Sequence, residues 1–397
     1  MNVRVLILVL LILLTVRVAN AQEQLPQTKI SGWVSLIAGD ANEAFSDEKT
    51  VLGGRGHVDV QFTAGTLQSV FRAELPSDDN LGDNSSTSLL REGWVRKSGE
   101  SYDLTLGRQF LPEGRSDWLH PQGQFSPRDY TQLTTVDTEQ KIGLPALRLD
   151  LYSTETTVTL AAIRQDRGDI LPEAMVSSLS EDQPLQKDPV DAGLARVEWR
   201  NGPWELGASY LHGSALYPVM DRRGEVSAYR QQRVATDGSV NLDGDILRWD
   251  VAYIRNDSEA YPGMPEQEWL ATLGLDKGIW KDGTLSLQLI HHHSNLPDSE
   301  GLPLLESYNQ RLSQNFRKRQ SWLTLNLRQQ FDGKRDAELG YMQGQKGENI
   351  GYLRYGWGFK DGWRLNVQSQ FAHGELDSLG GNFIPEKIIF MELRHFF

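Results

Sequence analysis

Apolar and polar residues alternate with a period of two along most of this chain, and the alternation is cleanest over its last ten residues. There Ile389, Met391, Leu393, His395 and Phe397 fall on one face, and Ile388, Phe390, Glu392, Arg394 and Phe396 on the other. A period of two with charge confined to one side predicts a strand whose faces meet different surroundings. About 9–11 residues is also the length a tilted strand needs to cross a bilayer. The same pattern marks seventeen segments between 28 and 397. In the clearest of them one face carries Leu147, Leu149 and Leu151, or Leu247, Trp249, Val251 and Tyr253, or Leu353, Tyr355, Trp357 and Phe359. The opposite face is wet: Arg148 and Asp150, Arg196 and Glu198, Arg248 and Asp250, Arg328, Arg354, Arg364.

Connections between these segments alternate in length. Tight turns such as Asn201-Gly202, Asp332-Gly333 and Asp361-Gly362 take turns with long polar loops at 39–52, 76–87, 111–140, 165–189, 294–318 and 374–385. The parity slips once, between Leu211 and Gly244, and an eighteenth strand at about Glu225–Leu242 restores it. Short turns on one side, long loops on the other and an even strand number predict an all-β fold, a transmembrane antiparallel β-barrel of about eighteen strands with periplasmic turns and extracellular loops. A soluble sandwich with one buried face would alternate too, but would not account for so many long strands. The aromatic at Phe397 resembles the C-terminal residue of Gram-negative outer-membrane barrels, where it serves as the insertion signal. Trp199, Trp204, Phe359 and Trp363 stand beside short turns, where an interfacial girdle would put them.

The first residues refine the destination. Arg4 precedes an apolar run from Val5 to Val16, and Ala19-Asn20-Ala21 follows, which predicts a signal peptide over 1–21 and a barrel over 22–397. Its removal takes the formal charge from −13 to −15. There is no cysteine, so disulfides and thiolate metal sites are excluded. Mean hydropathy is −0.46, which a barrel tolerates because alternating strands average out. No phosphate-cradling glycine loop or basic nucleic-acid face is present, so no cofactor and no nucleic-acid partner are expected. His291-His292-His293 cannot direct all three rings to one ion from a strand, and no metal is expected.

Candidate chemistry concentrates on the wet face and in the longest loop. Arg148 with Asp150, Arg196 with Glu198, Arg248 with Asp250 and Glu392 with Arg394 stand two apart, so each strand offers a charge pair to a lumen, either as a field across a pore or as wall salt bridges. The 111–140 loop holds Arg115, Asp117, His120, Arg128, Asp129 and Tyr130 among apolar anchors that predict packing. Its Gly114-Arg115-Ser116-Asp117 and Pro127-Arg128-Asp129-Tyr130 stretches, with Gly107-Arg108-Gln109 before and Ala146-Leu147-Arg148-Leu149-Asp150 after, resemble a little-characterised family of bacterial porin-like outer-membrane proteins. That resemblance implies the fold more than a substrate. Porins in general fold their third loop inward, so the expectation is passive diffusion of small hydrophilic solutes with this loop either a constriction or an ordered cap outside the barrel, and outer-membrane lipid, lipopolysaccharide and the barrel-assembly machinery as partners. An inward fold is expected to set loop carboxylates against Arg328, Arg354 and Arg364. The rival expectation is a barrel enzyme or a secretion or assembly accessory. No spacing singles out a nucleophile and its base, so an enzyme is not expected.

Overall fold

The computed structural model describes residues 26–41, 50–75, 90–115, 125–130, 134, 137–170, 190–217, 219–298, 301–375, 378 and 387–397. The expected signal peptide lies outside these residues, as do Asp117 and His120.

The alternating segments form strands β1 (Gln27–Ala41), β2 (Thr50–Ala64), β3 (Leu67–Leu75), β4 (Leu90–Ser98), β5 (Tyr102–Gln109), β6 (Leu144–Tyr152), β7 (Thr156–Gln165), β8 (Val190–Asn201) and β9 (Trp204–Ser214). A small hairpin of β10 (Val219–Met220) and β11 (Val226–Ser227) follows. The wall then continues with β12 (Arg230–Leu242), β13 (Asp245–Asn256), β14 (Gln267–Trp280), β15 (Gly283–Ser294) and β16 (Arg319–Gln330). It is completed by β17 (Arg335–Gly344), β18 (Asn349–Lys360), β19 (Trp363–His373) and β20 (Lys387–Phe396). Eighteen of these pair antiparallel, each with its neighbour in the chain, with β9 joined to β12, and β20 closes onto β1 from Trp33↔Phe396 to Ala41↔Ile388. Closure leaves no edge strand, so the wall's backbone groups bond within the sheet and none faces hydrocarbon unpaired.

Turn chemistry sets the register at the short-turn end. Asp243 and Gly244 have φ of 54° and 101°, the left-handed pair that matches the twist of a two-residue hairpin, and they lock Leu242 opposite Asp245. The eighteenth strand is therefore real, but it begins at Arg230. The expected stretch 225–229 instead runs through the β10–β11 hairpin, whose Gly224 (φ 83°) turns the chain before β12 can start. The polar 294–318 loop also contains an eleven-residue helix, α2 (Pro303–Ser313), with Pro at its start, while α1 (Asp137–Gln140) is a single turn.

The predicted faces hold. Leu147, Val197, Leu273, Leu323 and Leu353 are large apolar side chains left exposed on the outside, while Asp150, Arg196, Asp250 and Glu392 from the alternate positions are buried within. Aromatics ring the short-turn end of the outer face at Tyr102, Trp204, Trp280, Phe331, Phe359 and Phe397. A second belt toward the long loops includes Tyr210, Tyr253 against Trp269 with ring centres 4.8 Å apart, and Tyr341 against Phe371 at 6.5 Å. Trp269 and Trp280 stand eleven residues apart on β14. At about 3.4 Å per residue and a tilt of about 40° that is roughly 28 Å of height, the thickness of a hydrocarbon layer.

Candidate functional site across the barrel lumen

The β5–β6 connection turns into the barrel instead of away from it. Leu111 and Phe125 join the buried cluster of Leu144, Ala146, Ala161, Ile163, Leu194 and Leu211, an apolar patch on the inner wall of β6–β9. Burying one Phe is worth about 1.5–3 kcal/mol, enough to hold the segment against that wall. Backbone bonds stitch the rest. Asp129 N–H donates to Gln140 O (2.8 Å), Ile142 N–H to Pro127 O (2.7 Å) and Tyr130 N–H to Ile170 O (2.9 Å).

From this anchorage the segment reaches two opposite arcs of the wall. On one side Arg115 lies 2.9 Å from Asp237 and 3.5 Å from Glu198, and pairs with Glu205. The Arg115 N–H donates to Asp250 Oδ2 (3.2 Å), and its carbonyl accepts from Arg248 Nη1 (2.7 Å). Those partners sit on β8, β9, β12 and β13. Gly114 permits the approach, because a Cβ there would stand 2.8 Å from Asp250 Oδ1. On the other side Glu139 of α1 accepts from Arg394 of β20 (2.8 Å) and lies 3.7 Å from Arg55 of β2. β20 and β2 flank β1, half-way round the eighteen-strand ring from β9 and β12. Between the two arcs, Asp129 Oδ2 accepts from Arg91 of β4 (3.3 Å), and Arg91 also holds Glu74. The described residues of one connection thus bridge the lumen across its diameter.

Burial disfavours the charged form of Glu139, but the guanidinium groups of Arg394 and Arg55, with hydrogen bonds from Arg394 and Thr134, outweigh it and hold the carboxyl below the usual range. Arg394 is itself fixed, its guanidinium 3.9 Å over the Trp33 ring and bonded to Glu392 at 2.8 and 2.9 Å.

The remaining strand charges pair mainly with one another along the wall. Arg148 bonds Asp150 (2.9 Å), and Arg196 is shared between Glu198 (3.1 Å) and Asp237 (2.9 Å). Arg248 and Asp250 are divided between Asp276 (2.7 Å) and the Arg115 backbone. Arg328 and Arg354 converge on Glu338 at 3.1 and 2.6 Å, and Arg364 pairs with Asp336. Among the described residues the carboxylates paired with these arginines of β16, β18 and β19 therefore come from β17. The described loop carboxylates Glu139 and Asp129 meet Arg55, Arg394 and Arg91. Arg128 runs antiparallel to Lys141 and lies 3.7 Å from Glu113, while Tyr130 is exposed. His292 faces inward onto Glu268 (3.0 Å), whereas His291 and His293 lie outside on Ser321 and the Lys318 carbonyl. Among the described residues no group of three or more His, Asp or Glu is disposed to hold a metal.

Arg55, Arg91, Glu74, Glu113 and Glu139 were not legible as site residues. The alternation in β2 and β4 would have placed the two arginines inward, but nothing in the sequence says which loop carboxylate meets which wall arginine.

Comparison with known proteins bears on the fold. No family model matches the chain, and no curated protein matches it in sequence. The resemblance carried by the Gly-Arg and Pro-Arg-Asp-Tyr stretches therefore stands on those residues alone. Among solved structures, OccAB3 of Acinetobacter baumannii aligns with TM-score 0.56 over 94% of this chain and 99% of its own at 11% identity. OccK11 (OpdR) of Pseudomonas aeruginosa gives 0.55 over 93% and 95% at 13% identity. OmpT, an outer membrane protein of Vibrio cholerae, gives 0.51 over 95% and 99% at 10% identity. At such identities the likeness is one of architecture, and the closed eighteen-strand wall has the porin-like barrel fold of outer-membrane proteins.

Proposed function

We propose that this chain is a Gram-negative outer-membrane channel through which small hydrophilic solutes diffuse passively, with the 111–140 segment as its constriction. The observation that carries the reading is the segment's ion pairing to opposite arcs of the inner wall, Arg115 on one and Glu139 on the other. A barrel built only as a membrane anchor or assembly platform gains nothing from a charged bridge across its lumen. The arc β16–β19 supports a wet passage beside that bridge, since its Arg328 side chain is 61% exposed although it faces inward. Three guanidinium groups there, Arg328, Arg354 and Arg364, stand against the carboxylates of Glu338 and Asp336. In a narrow, partly dehydrated passage each charge counts for more, because two charges about 4 Å apart interact by several kcal/mol at intermediate dielectric against about 1 in bulk water.

Liposome swelling with a graded series of sugars, amino acids and organic acids tests the proposal. Flux should fall steeply with solute size, and Arg328→Gln should shift the reversal potential toward cations in planar bilayers. Heat-modifiable, folded protein that passes no solute would refute the channel and favour the enzyme or accessory reading.

A further inference from the structure

The fold also carries a cavity of about 890 Å³ at the long-loop end of β9, β12 and β13, lined from both faces of the strands. Strand register builds its floor. His212 of β9, Gln232 of β12 and Arg255 of β13 lie side by side, and Arg230 is the next outward position on β12. Their inward neighbours Gln231 and Asn256 are buried and bonded to each other (3.0 Å), so the arginines, both exposed, face away from the lumen. Arg222 of the β10–β11 turn closes one side, its N–H bonded to Ala260 O (3.2 Å), and residues 257–266 form the rim. Neither Arg230 nor Arg255 has a carboxylate at ion-pairing distance among the described residues. The row directly below, on the same outer face, is Tyr210, Val234, Tyr253 and Trp269.

We propose that this cavity holds the phosphorylated sugar headgroup of an outer-leaflet glycolipid. The inference rests on the outer-membrane reading above, and it names a lipid site that the reading leaves open. The cavity begins at the height where the aromatic belt ends, which is where lipid phosphates lie. Guanidinium groups fork onto phosphate oxygens in bidentate pairs, and Arg222, Arg230 and Arg255 converge with no carboxylate claiming the latter two. Of the carboxylates that line it, Asp257 stands beside Arg230, its N–H donating to the Arg230 carbonyl (2.9 Å), and together with Glu259, Glu266 and Asn295 it suits the hydroxyl groups of a sugar. Acyl chains would then descend over Tyr210, Val234, Tyr253 and Trp269. A free inorganic anion would use the arginines but neither the sugar-binding rim nor the aromatic row.

Native mass spectrometry of the detergent-folded protein, titrated with bisphosphorylated lipid A, with its dephosphorylated form and with inorganic phosphate, decides the matter. Bisphosphorylated lipid A should bind at least about tenfold more tightly than the dephosphorylated form, and Arg230→Ala with Arg255→Ala should abolish that preference. Arg164→Ala, an exposed arginine at the end of β7 outside the cavity, should change nothing. Equal binding of the two lipids, no effect of the double variant, or displacement of lipid by inorganic phosphate at equal concentration overturns the site. Gel mobility before and after boiling accompanies each sample. Loss of lipid binding by a heat-modifiable barrel sinks the headgroup site alone, whereas recovery of the cellular protein outside the outer membrane sinks the reading on which it rests.

Discussion

Arg115 is the residue on which the lumen bridge turns. It faces Asp237 and Asp250, both wholly buried, and Glu198 and Glu205 besides. Arg196 also neutralises Asp237, but Asp250 draws on the Arg115 backbone, which Gly114 brings within reach. Arg115→Ala keeps the backbone bond to Asp250 but takes one of two guanidinium groups from Asp237 and the loop's cation from Glu198 and Glu205, a loss smaller than the about 3–5 kcal/mol of a buried pair broken outright. Because the barrel wall is held by its own ladders, that cost should appear as release of the segment. Single-channel recordings of Arg115→Ala should show higher and more variable conductance, and unchanged traces would remove Arg115 from the constriction. At the opposite arc the controlling group is Glu139. Its folded-state pKa lies below the unfolded value, so its attraction to Arg394 and Arg55 is fully present above the ordinary glutamate range near about 4.3 and is lost as the pH falls through the lower folded value. Wild-type conductance should rise only on acidification below the ordinary glutamate range. Glu139→Gln should already conduct at that raised level at pH 7 and respond less to acid, and parallel pH profiles for the two proteins would rule Glu139 out as the clasp.

Elements beyond the wall depend on a few polar anchors. Asn309 of α2 is completely buried, accepts from Met220 N–H (2.7 Å) and donates to the carbonyls of Met220 (2.9 Å) and Pro262 (2.8 Å). One side chain thus ties α2 to the β10–β11 hairpin and to the β13–β14 loop. Asn309→Ala strands these backbone groups at a cost of about 1–3 kcal/mol each if they stay dry. Limited proteolysis of the folded variant should cut within 215–229 or 301–318 at least several times faster than wild type, with the wall intact; an equal rate would mean that the elements hold together without it. Here the sequence was least informative. Alternation of the kind seen at Leu247–Tyr253 reports that a strand has two different faces, so strands, turns and the inward set including Arg196, Glu392 and Arg394 were all legible. The β10–β11 hairpin and α2 bury faces against one another instead of against a lipid or a lumen, and leave no period in so short a stretch. Loop partners were illegible for a related reason. Glu139 and Arg394 are separated by 255 positions, and only the direction of the loop brings them together.

At the scale of the whole molecule, the closing seam is where the last residue acts. Phe397 N–H donates to Gly32 O and Gly32 N–H to Phe397 O, each at 3.1 Å, extending the β1–β20 ladder one step beyond Trp33↔Phe396. Its ring lies outside on the short-turn girdle, 58% exposed, and passes so close to Gly32 that a Cβ there would stand 2.7 Å from the ring tip. His395 stacks on Trp363 with ring centres 4.6 Å apart, so the same end of the seam is also braced from β19. Removing Phe397 deletes two ladder bonds and one girdle aromatic from a wall joined by eighteen pairings, too little to unfold a finished barrel. A large loss of folded protein in cells would therefore point to assembly, where the terminal aromatic is read before the barrel has closed, and not to stability. The prediction is that deletion of Phe397 lowers the yield of heat-modifiable protein in the outer membrane several-fold, while the same variant refolded into detergent melts within a few degrees of wild type. Phe397→Ala should reproduce the loss in cells, because it keeps the ladder and removes only the ring. Equal cellular yields for wild type and both variants would deny Phe397 the role of insertion signal, and a matching collapse in detergent would make it a structural closure residue instead.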